Sequence, residues 1–190
     1  SLKTRLADKY FCNFSVFQSV PDSWAIDQVF PVVPLYRLNE EPTRDATLAD
    51  ITCDSDGQID TFIGTNRGTD STLRVHALES GETYPLCIFL TGAYQEILGD
   101  LHNLFGDTNT VHVSLNDDGT LKYEQIIEGE NVTDVLDYVQ FKADELAGRV
   151  SGFLVNYVET GHISQEEADK FLSLYKDGLN GYTYLLKSNT

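Results

Sequence analysis

The feature that most constrains this chain is a change of hydrophobic period near Gly129. Between residues 10 and 127, short apolar or alternating runs are separated by turn residues, which is typical of β-strands. After Gly129, apolar residues recur at spacings of three and four, the period of one face of an α-helix. We therefore predict a mainly β fold with α structure, in which a β domain over residues 1–128 precedes a small helical tail over residues 129–190.

Turn signals separate the strands of the predicted β domain. The most specific is residues 116–119, a tight hairpin turn in which Gly119 can take a positive φ without steric cost. One helix is predicted near residues 94–105, where apolar residues recur at helical spacing. The predicted strands are residues 10–18, 32–38, 47–53, 59–63, 72–78, 86–91, 110–115 and 121–127.

Three helices are predicted in the tail. The first two have one apolar face each, over residues 132–139 and 146–157. The third begins at Ser164, where Glu167 follows at the spacing of a capping box.

The charge of the chain excludes two classes of partner. Its 190 residues include 30 acidic and 13 basic side chains, for a formal net charge of −17, which repels phosphate backbones and anionic lipids. No apolar run reaches the roughly 20 residues that span a bilayer, and residues 1–8 lack the apolar centre of a signal peptide. We expect no nucleic-acid or membrane partner and a cytoplasmic location. Because the chain starts at Ser1 and contains no Met, we also expect its N-terminus to be a cut.

The cysteines indicate neither a disulfide framework nor a zinc site. Cys12, Cys53 and Cys87 are odd in number, widely spaced and without a CxxC pair or a His at ligand spacing. We expect reduced thiols and no metal site formed by these residues.

Residues 50–57 are the first candidate site. They place Cys53 among three carboxylates at the end of a predicted strand. A thiol can give a proton to a carbanion and a carboxylate can hold a cation, but Asp-Ser-Asp-Gly is also a common turn composition. The residues alone leave both interpretations open.

Residues 21–27 are the second candidate. An aromatic-rich run leads into a segment that places Asp22 and Asp27 beside Trp24. Aromatic walls with a carboxylate suit a cationic ligand, but the residues alone somewhat favour a core strand followed by a surface turn. No Ser-His-Asp order and no glycine-rich phosphate loop supports a hydrolase or a nucleotide-binding protein.

Four longer motifs follow one another along the chain. They are YFCNFSVFQSVPDSWAIDQVFP at residues 10–31, DITCDSDG at 50–57, GAYQEILG at 92–99 and HNLFGD at 102–107. Together they resemble the C-terminal part of biosynthetic arginine decarboxylases and, more distantly, eukaryotic ornithine decarboxylase. The resemblance extends through the tail to residues 181–184.

The resemblance implies a fold and a reaction. Such enzymes join a pyridoxal-phosphate-binding α/β barrel to a C-terminal β domain of barrel or sandwich type, here followed by the helical tail. Their subunits form a homodimer or a higher oligomer, in which two subunits share the active sites. The implied reaction converts L-arginine into agmatine and carbon dioxide in polyamine biosynthesis, and Mg²⁺ is a further possible cofactor.

The resemblance also implies roles for four residues. Cys53 would be the catalytic residue that returns a proton to Cα, and Asp54 would lie near the distal end of the substrate. Asp27 would face the cationic side chain of the substrate, and Tyr94 would contact the cofactor phosphate. No lysine here lies in a matching motif for the cofactor lysine, so the barrel domain must supply it and the chain alone is expected to be inactive.

Two other functions remain open at this point. One is a non-catalytic, decarboxylase-like module that regulates or dimerises with a true subunit. The other is a free-standing acidic β module that binds small cations or peptides.

Overall fold

The computed structural model describes residues 2–65 and 68–186. The chain divides into two compact units, Ser1–Asn103 and Leu104–Thr190. Sheets and helices are mixed, which confirms the predicted fold class. The predicted domain boundary at residue 128 stays a prediction, because compactness does not reveal which segments fold independently.

The described part of the first unit contains short strands around one central strand. They are β1 Asp8–Phe11, β2 Val32–Pro34, β3 Arg44–Ala49, β4 Gln58–Ile59, β5 Phe62–Ile63, β6 Thr69–Asp70, β7 Leu73–Val75 and β8 Leu86–Ile88. Strand β3 pairs in parallel with β1 and antiparallel with β4 and β7. Strands β2 and β8 form a separate antiparallel pair, as do β5 and β6.

The helical segments of the first unit are short. They are α1 Leu2–Leu6, α2 Val16–Ser19, α3 Pro21–Ala25 and α4 Ala93–Ile97, and a 3₁₀ turn at His102–Leu104 spans the boundary to the second unit.

The core of the first unit lies where α2 meets β3. Val16 of α2 and Leu48 of β3 are almost fully buried and belong to one apolar cluster. Burial of such side chains contributes roughly 1.5–3 kcal/mol each. The other buried members of the cluster are Val20, Phe30, Val32, Ile59 and Phe62. This packing holds α2 beside the end of β3, where residues 50–57 begin.

The predicted strand over residues 10–18 is wrong beyond Phe11. Ser15 caps α2, because its hydroxyl accepts a hydrogen bond from the backbone N–H of Gln18. The segment is rich in aromatic residues, which favour strands, but the backbone turns into a helix after residue 15. The hydrogen bond from the backbone N–H of Val16 to Asp50, which lies 34 residues further along the chain, cannot be read from the local sequence pattern.

The single helix predicted near residues 94–105 is two short pieces. Helix α4 ends at Ile97, and Asn103 and Leu104 have φ angles of 55° and 62°, outside the right-handed helix. Gly99 lies so close to a neighbouring segment that a Cβ there would stand 2.5 Å from the carbonyl oxygen of Gln18. At this close approach the chain leaves the helical conformation, and α4 does not continue for another turn.

The second unit starts with a hairpin and continues as helices. Strands β9 Thr110–Leu115 and β10 Leu121–Ile127 are antiparallel, and Gly119 in their turn has φ 81°, as predicted. The helices are α5 Val132–Tyr138, α6 Ala143–Glu159 and α7 Gln165–Leu179. Their order confirms the predicted helical tail. Within the described residues, no helix is long and apolar enough to cross a membrane.

Candidate active site

Asp50 is the buried carboxylate at the base of the candidate site. It directly follows β3 and is 3% exposed. Its Oδ2 accepts a hydrogen bond of 2.9 Å from the backbone N–H of Val16, the first residue of α2. Its Oδ1 accepts from the backbone N–H and the hydroxyl of Thr52, at 2.8 and 2.7 Å. These partners offset the desolvation of the carboxylate and tie residues 50–57 to α2.

Residues 50–57 form a closed turn. The backbone N–H of Asp50 donates to the carbonyl of Gly57 at 2.8 Å, and that of Gly57 donates to the carbonyl of Asp54 at 3.1 Å. The Asp54 carboxylate accepts from the backbone N–H of Asp56 at 2.9 Å. A Cβ on residue 57 would overlap the Asp50 carboxylate, so the turn requires glycine there.

Cys53 is the accessible thiol of this turn. It is exposed and unbridged, whereas Cys12 and Cys87 are half-buried. Burial raises the pKa of the Cys12 thiol to about 11, which makes Cys12 a poor source of thiolate. An exposed thiol on a fixed turn can deliver a proton to a group outside this chain.

Asp54 lies beside His102. The Nε2 atom of His102 is 3.3 Å from Oδ2 of Asp54. The imidazole stacks on Phe17 of α2, with ring centroids 4.0 Å apart and planes inclined by 32°. His102 has no role of its own in the sequence analysis. Its place in the HNLFGD motif was the signal that could have identified it.

Asp27 follows α3 at the edge of the candidate site. It is exposed and has a φ of 55°, a conformation in which Asp is one of the less strained residues. Together with Gln58 and Asp60 it lines a small cleft of about 50 Å³. Trp24 of α3 contacts Phe17 edge to face, with ring centroids 5.1 Å apart. The segment predicted to face a cation therefore lies beside the end of the Cys53 turn.

Tyr94 lies on α4 and is 74% exposed. The next residue, Gln95, is buried and joins α4 to α3 through Asp22. The Gln95 amide donates to the Asp22 carboxylate at 2.6 Å, and the Asp22 backbone N–H donates back to Gln95 at 3.2 Å. These contacts join the helix of Tyr94 to α3, whose Trp24 packs on Phe17 of α2. Helix α2 is in turn bonded to Asp50, at the start of the Cys53 turn.

The chain matches known proteins over nearly all of its length. A family model described as the arginine decarboxylase C-terminal helical extension matches residues 132–185. The biosynthetic arginine decarboxylase of Bacteroides thetaiotaomicron is 59% identical over 97% of this chain, which covers 29% of that protein. The corresponding enzyme of Rhodopirellula baltica is 51% identical over 97% of this chain, which covers 27% of it.

A solved structure gives the same result. The crystal structure of the biosynthetic arginine decarboxylase of Campylobacter jejuni matches with a TM-score of 0.81 and 37% identity. The match covers 94% of this chain and 29% of that one, so the chain spans less than a third of the relatives it matches. In sequence and in fold, the chain is similar to a C-terminal portion of the biosynthetic arginine decarboxylases.

Proposed function

We propose that this chain supplies half of the active site of a pyridoxal-phosphate-dependent arginine decarboxylase. The enzyme converts L-arginine into agmatine and carbon dioxide. This reaction is a step of polyamine biosynthesis, the pathway that leads to spermidine. The observation that carries the proposal is the fixed turn at residues 50–57, which exposes a thiol beside a carboxylate. Identity of 59% to an enzyme named for this activity supports the choice of reaction.

Tyr94 is the residue of this chain that would contact the phosphate of a bound pyridoxal phosphate. When bound, the cofactor absorbs the electron pair left at Cα as carbon dioxide departs. The exposed hydroxyl of Tyr94 can donate to a phosphate oxygen. The lysine that holds the cofactor is expected on the barrel domain of the same enzyme.

Cys53 delivers the proton that replaces the lost carboxylate. The S–H bond breaks, Cα gains the proton, and the thiolate is reprotonated from solvent. The turn fixes the position of the thiol before the substrate arrives, because residues 50 and 57 close it through the main chain.

Asp54 and Asp27 bind the guanidinium of the substrate. Carboxylates form charge-assisted hydrogen bonds with this planar group. One oxygen of Asp54 already accepts from Asp56, which orients the carboxylate, and its remaining lone pairs can accept from the substrate.

The site is completed by other parts of the enzyme. Because Cys53, Asp54, Asp27 and Tyr94 are all exposed, they are available to the barrel domain and, by resemblance, to a second subunit of a homodimer. We also propose a cytoplasmic location, which the unbridged cysteines support. A magnesium requirement stays a prediction from resemblance: within residues 2–65 and 68–186, no group of three or more His, Cys, Asp or Glu could hold a metal.

Substitution of Cys53 tests the proposal in the complete enzyme that contains this chain. Cys53→Ala is expected to lower agmatine formation by about a hundredfold or more, because it removes the proton donor. Cys87→Ala, a second thiol in the same unit, serves as the control and is expected to retain activity. Agmatine and carbon dioxide are measured from labelled arginine with saturating pyridoxal phosphate.

Two results would contradict the proposal in different ways. Full activity of Cys53→Ala would remove Cys53 from the mechanism. A folded, cofactor-loaded wild-type protein that forms no agmatine would favour the non-catalytic, decarboxylase-like module instead.

A further inference from the structure

We infer that His102 is a positioning residue that fixes the Asp54 carboxylate for the distal end of the substrate. The inference rests on the proposed function, because that function assigns Asp54 to the guanidinium. His102 thereby joins the same site as a residue that affects the affinity for the substrate.

The His102 nitrogen that faces Asp54 has no other acceptor within hydrogen-bond reach in the described part of the chain. Its Nε2 lies 3.3 Å from Oδ2 of Asp54 and is shielded from solvent. Among the described residues, this nitrogen has no hydrogen-bond partner, so the contact with Asp54 has the distance of a hydrogen bond but not its alignment. A shielded imidazole N–H without an acceptor costs free energy, which favours the small rotation that aligns it with Asp54. Contacts of this kind often align only when the substrate is bound.

The imidazole is held in place on its other side. It stacks on Phe17 at 4.0 Å, and the His102 backbone N–H donates to the carbonyl of Asp100 at 2.8 Å. The backbone N–H of Asp100 in turn donates to the carbonyl of Phe17 at 3.0 Å. Both the ring and the backbone of this segment are therefore anchored to α2.

The segments that carry the Asp54 carboxylate and the His102 imidazole are both connected to Asp50. Asp50 binds the N–H of Val16, at the start of the helix that carries Phe17. The same carboxylate binds Thr52, at the start of the turn that carries Asp54. The two partners are thus connected through one buried group, which limits changes in their separation.

The two oxygens of Asp54 have different tasks. Oδ1 accepts from the backbone N–H of Asp56, and Oδ2 faces His102. Each carboxylate oxygen has two lone pairs, so one remains on each oxygen for a guanidinium. Once His102 rotates into alignment, the carboxylate is held at both oxygens and loses little rotamer freedom on binding, which strengthens substrate affinity. The Cys53 proton step acts at Cα, so His102 should affect KM for arginine more than kcat.

The test uses the complete, cofactor-loaded enzyme with His102→Phe. Phenylalanine can keep the stacking on Phe17 but has no N–H to offer Asp54. We expect KM for arginine to rise about fivefold, the effect of one typical hydrogen bond, with kcat changed less than about twofold. Binding of agmatine, which keeps the guanidinium, should weaken by a similar factor in titration calorimetry.

Two further variants separate positioning from a merely structural role. His102→Gln places an amide N–H near the position of Nε2 and should restore part of the affinity. His112→Phe changes an exposed histidine of β9 and should leave KM unchanged.

A double-mutant cycle with Asp54→Asn decides the route of the effect. If His102 acts through Asp54, His102→Phe should cause little further rise of KM in the Asp54→Asn background. An unchanged KM in His102→Phe, or an equal rise in both backgrounds, would overturn the inference while leaving the proposed function intact. A wild-type enzyme that neither decarboxylates arginine nor binds agmatine would instead overturn the proposed function, and the role of His102 with it.

Discussion

Asp50 shows how one residue can organise a candidate site. Its carboxylate accepts three hydrogen bonds from Val16 and Thr52, two residues that belong to different segments. Removing the carboxylate would leave the N–H of Val16 and the polar groups of Thr52 without this acceptor. A buried donor that is left without an acceptor costs more free energy than the hydrogen bond itself contributes to stability.

We predict that Asp50→Ala lowers the free energy of unfolding of this 190-residue chain by about 3 kcal/mol. Urea denaturation followed by the fluorescence of Trp24, the single tryptophan, measures the change. Asp117→Ala, at an exposed turn position, should stay within about 0.5 kcal/mol of the wild type. Equal stability of the two variants would contradict the structural role given to Asp50.

Local sequence could identify only part of this arrangement. The clustering of a thiol and carboxylates marked residues 50–57, and the longer motifs marked Asp27 and Tyr94. The pairing of Asp54 with His102 could not be predicted, because it joins residues far apart in the chain through the stacking on Phe17. The need for Gly57 likewise appears only once the Asp50 side chain has a position.

Helices and strands could be predicted from the sequence where their hydrophobic period repeats within a short segment. Helices α5 to α7 follow apolar periods, and α5 and α7 begin with complete capping boxes, at Asn131 and Ser164. Helices α2 and α4 are four and five residues long, too short for a period to show. Their conformation depends on tertiary contacts such as those of Asp50 and Gln95.

The N-terminal cap of α7 gives a prediction at this scale. Ser164→Ala should lower the free energy of unfolding by about 1 kcal/mol, because the backbone N–H of Glu167 loses its acceptor. Ser173→Ala, at an exposed position inside α7, is the control and should change stability little. Thermal or urea denaturation at pH 7 measures both.

The same cap should depend on pH. Hydrogen bonds from the backbone N–H and the hydroxyl of Ser164 hold the pKa of Glu167 below its ordinary value of 4.5. A group with a lowered folded-state pKa stabilises the fold above its unfolded pKa and loses that effect as the pH falls through the folded value. The stability difference between wild type and Ser164→Ala should therefore shrink as the pH falls below 4.5. A difference that stays constant down to pH 3 would contradict this coupling.

At the level of the whole molecule, a large negative charge coexists with exposed apolar side chains. The charge of −17 opposes association with anionic partners. The hairpin of β9 and β10 nevertheless exposes large apolar residues, and α6 and α7 expose several more. The fold class was predictable because the hydrophobic period changes along the chain. The sequence could not predict which apolar residues stay exposed, because the hydrophobic period alone does not reveal what covers a face.

This surface predicts dye binding by the isolated chain. Contiguous exposed apolar side chains bind anilinonaphthalene sulfonate and raise its fluorescence. Val111→Thr combined with Ile126→Thr removes a directly opposed apolar pair of the hairpin and should lower the signal. His112→Thr combined with Gln125→Thr, the neighbouring opposed pair, leaves the apolar surface intact and should not. Equal fluorescence from the two double variants would exclude the hairpin as the binding surface.

The buried anchoring of residues 50–57 also affects how another surface would complete the candidate site. A loop that became ordered only at an interface would lose its conformational entropy at that step and weaken the association. Here the main-chain closure between residues 50 and 57 and the bonds of Asp50 order the loop during folding of its own unit. Whatever surface completes the site therefore meets a thiol and a carboxylate already in position, and its affinity for this chain is not reduced by the ordering of this loop.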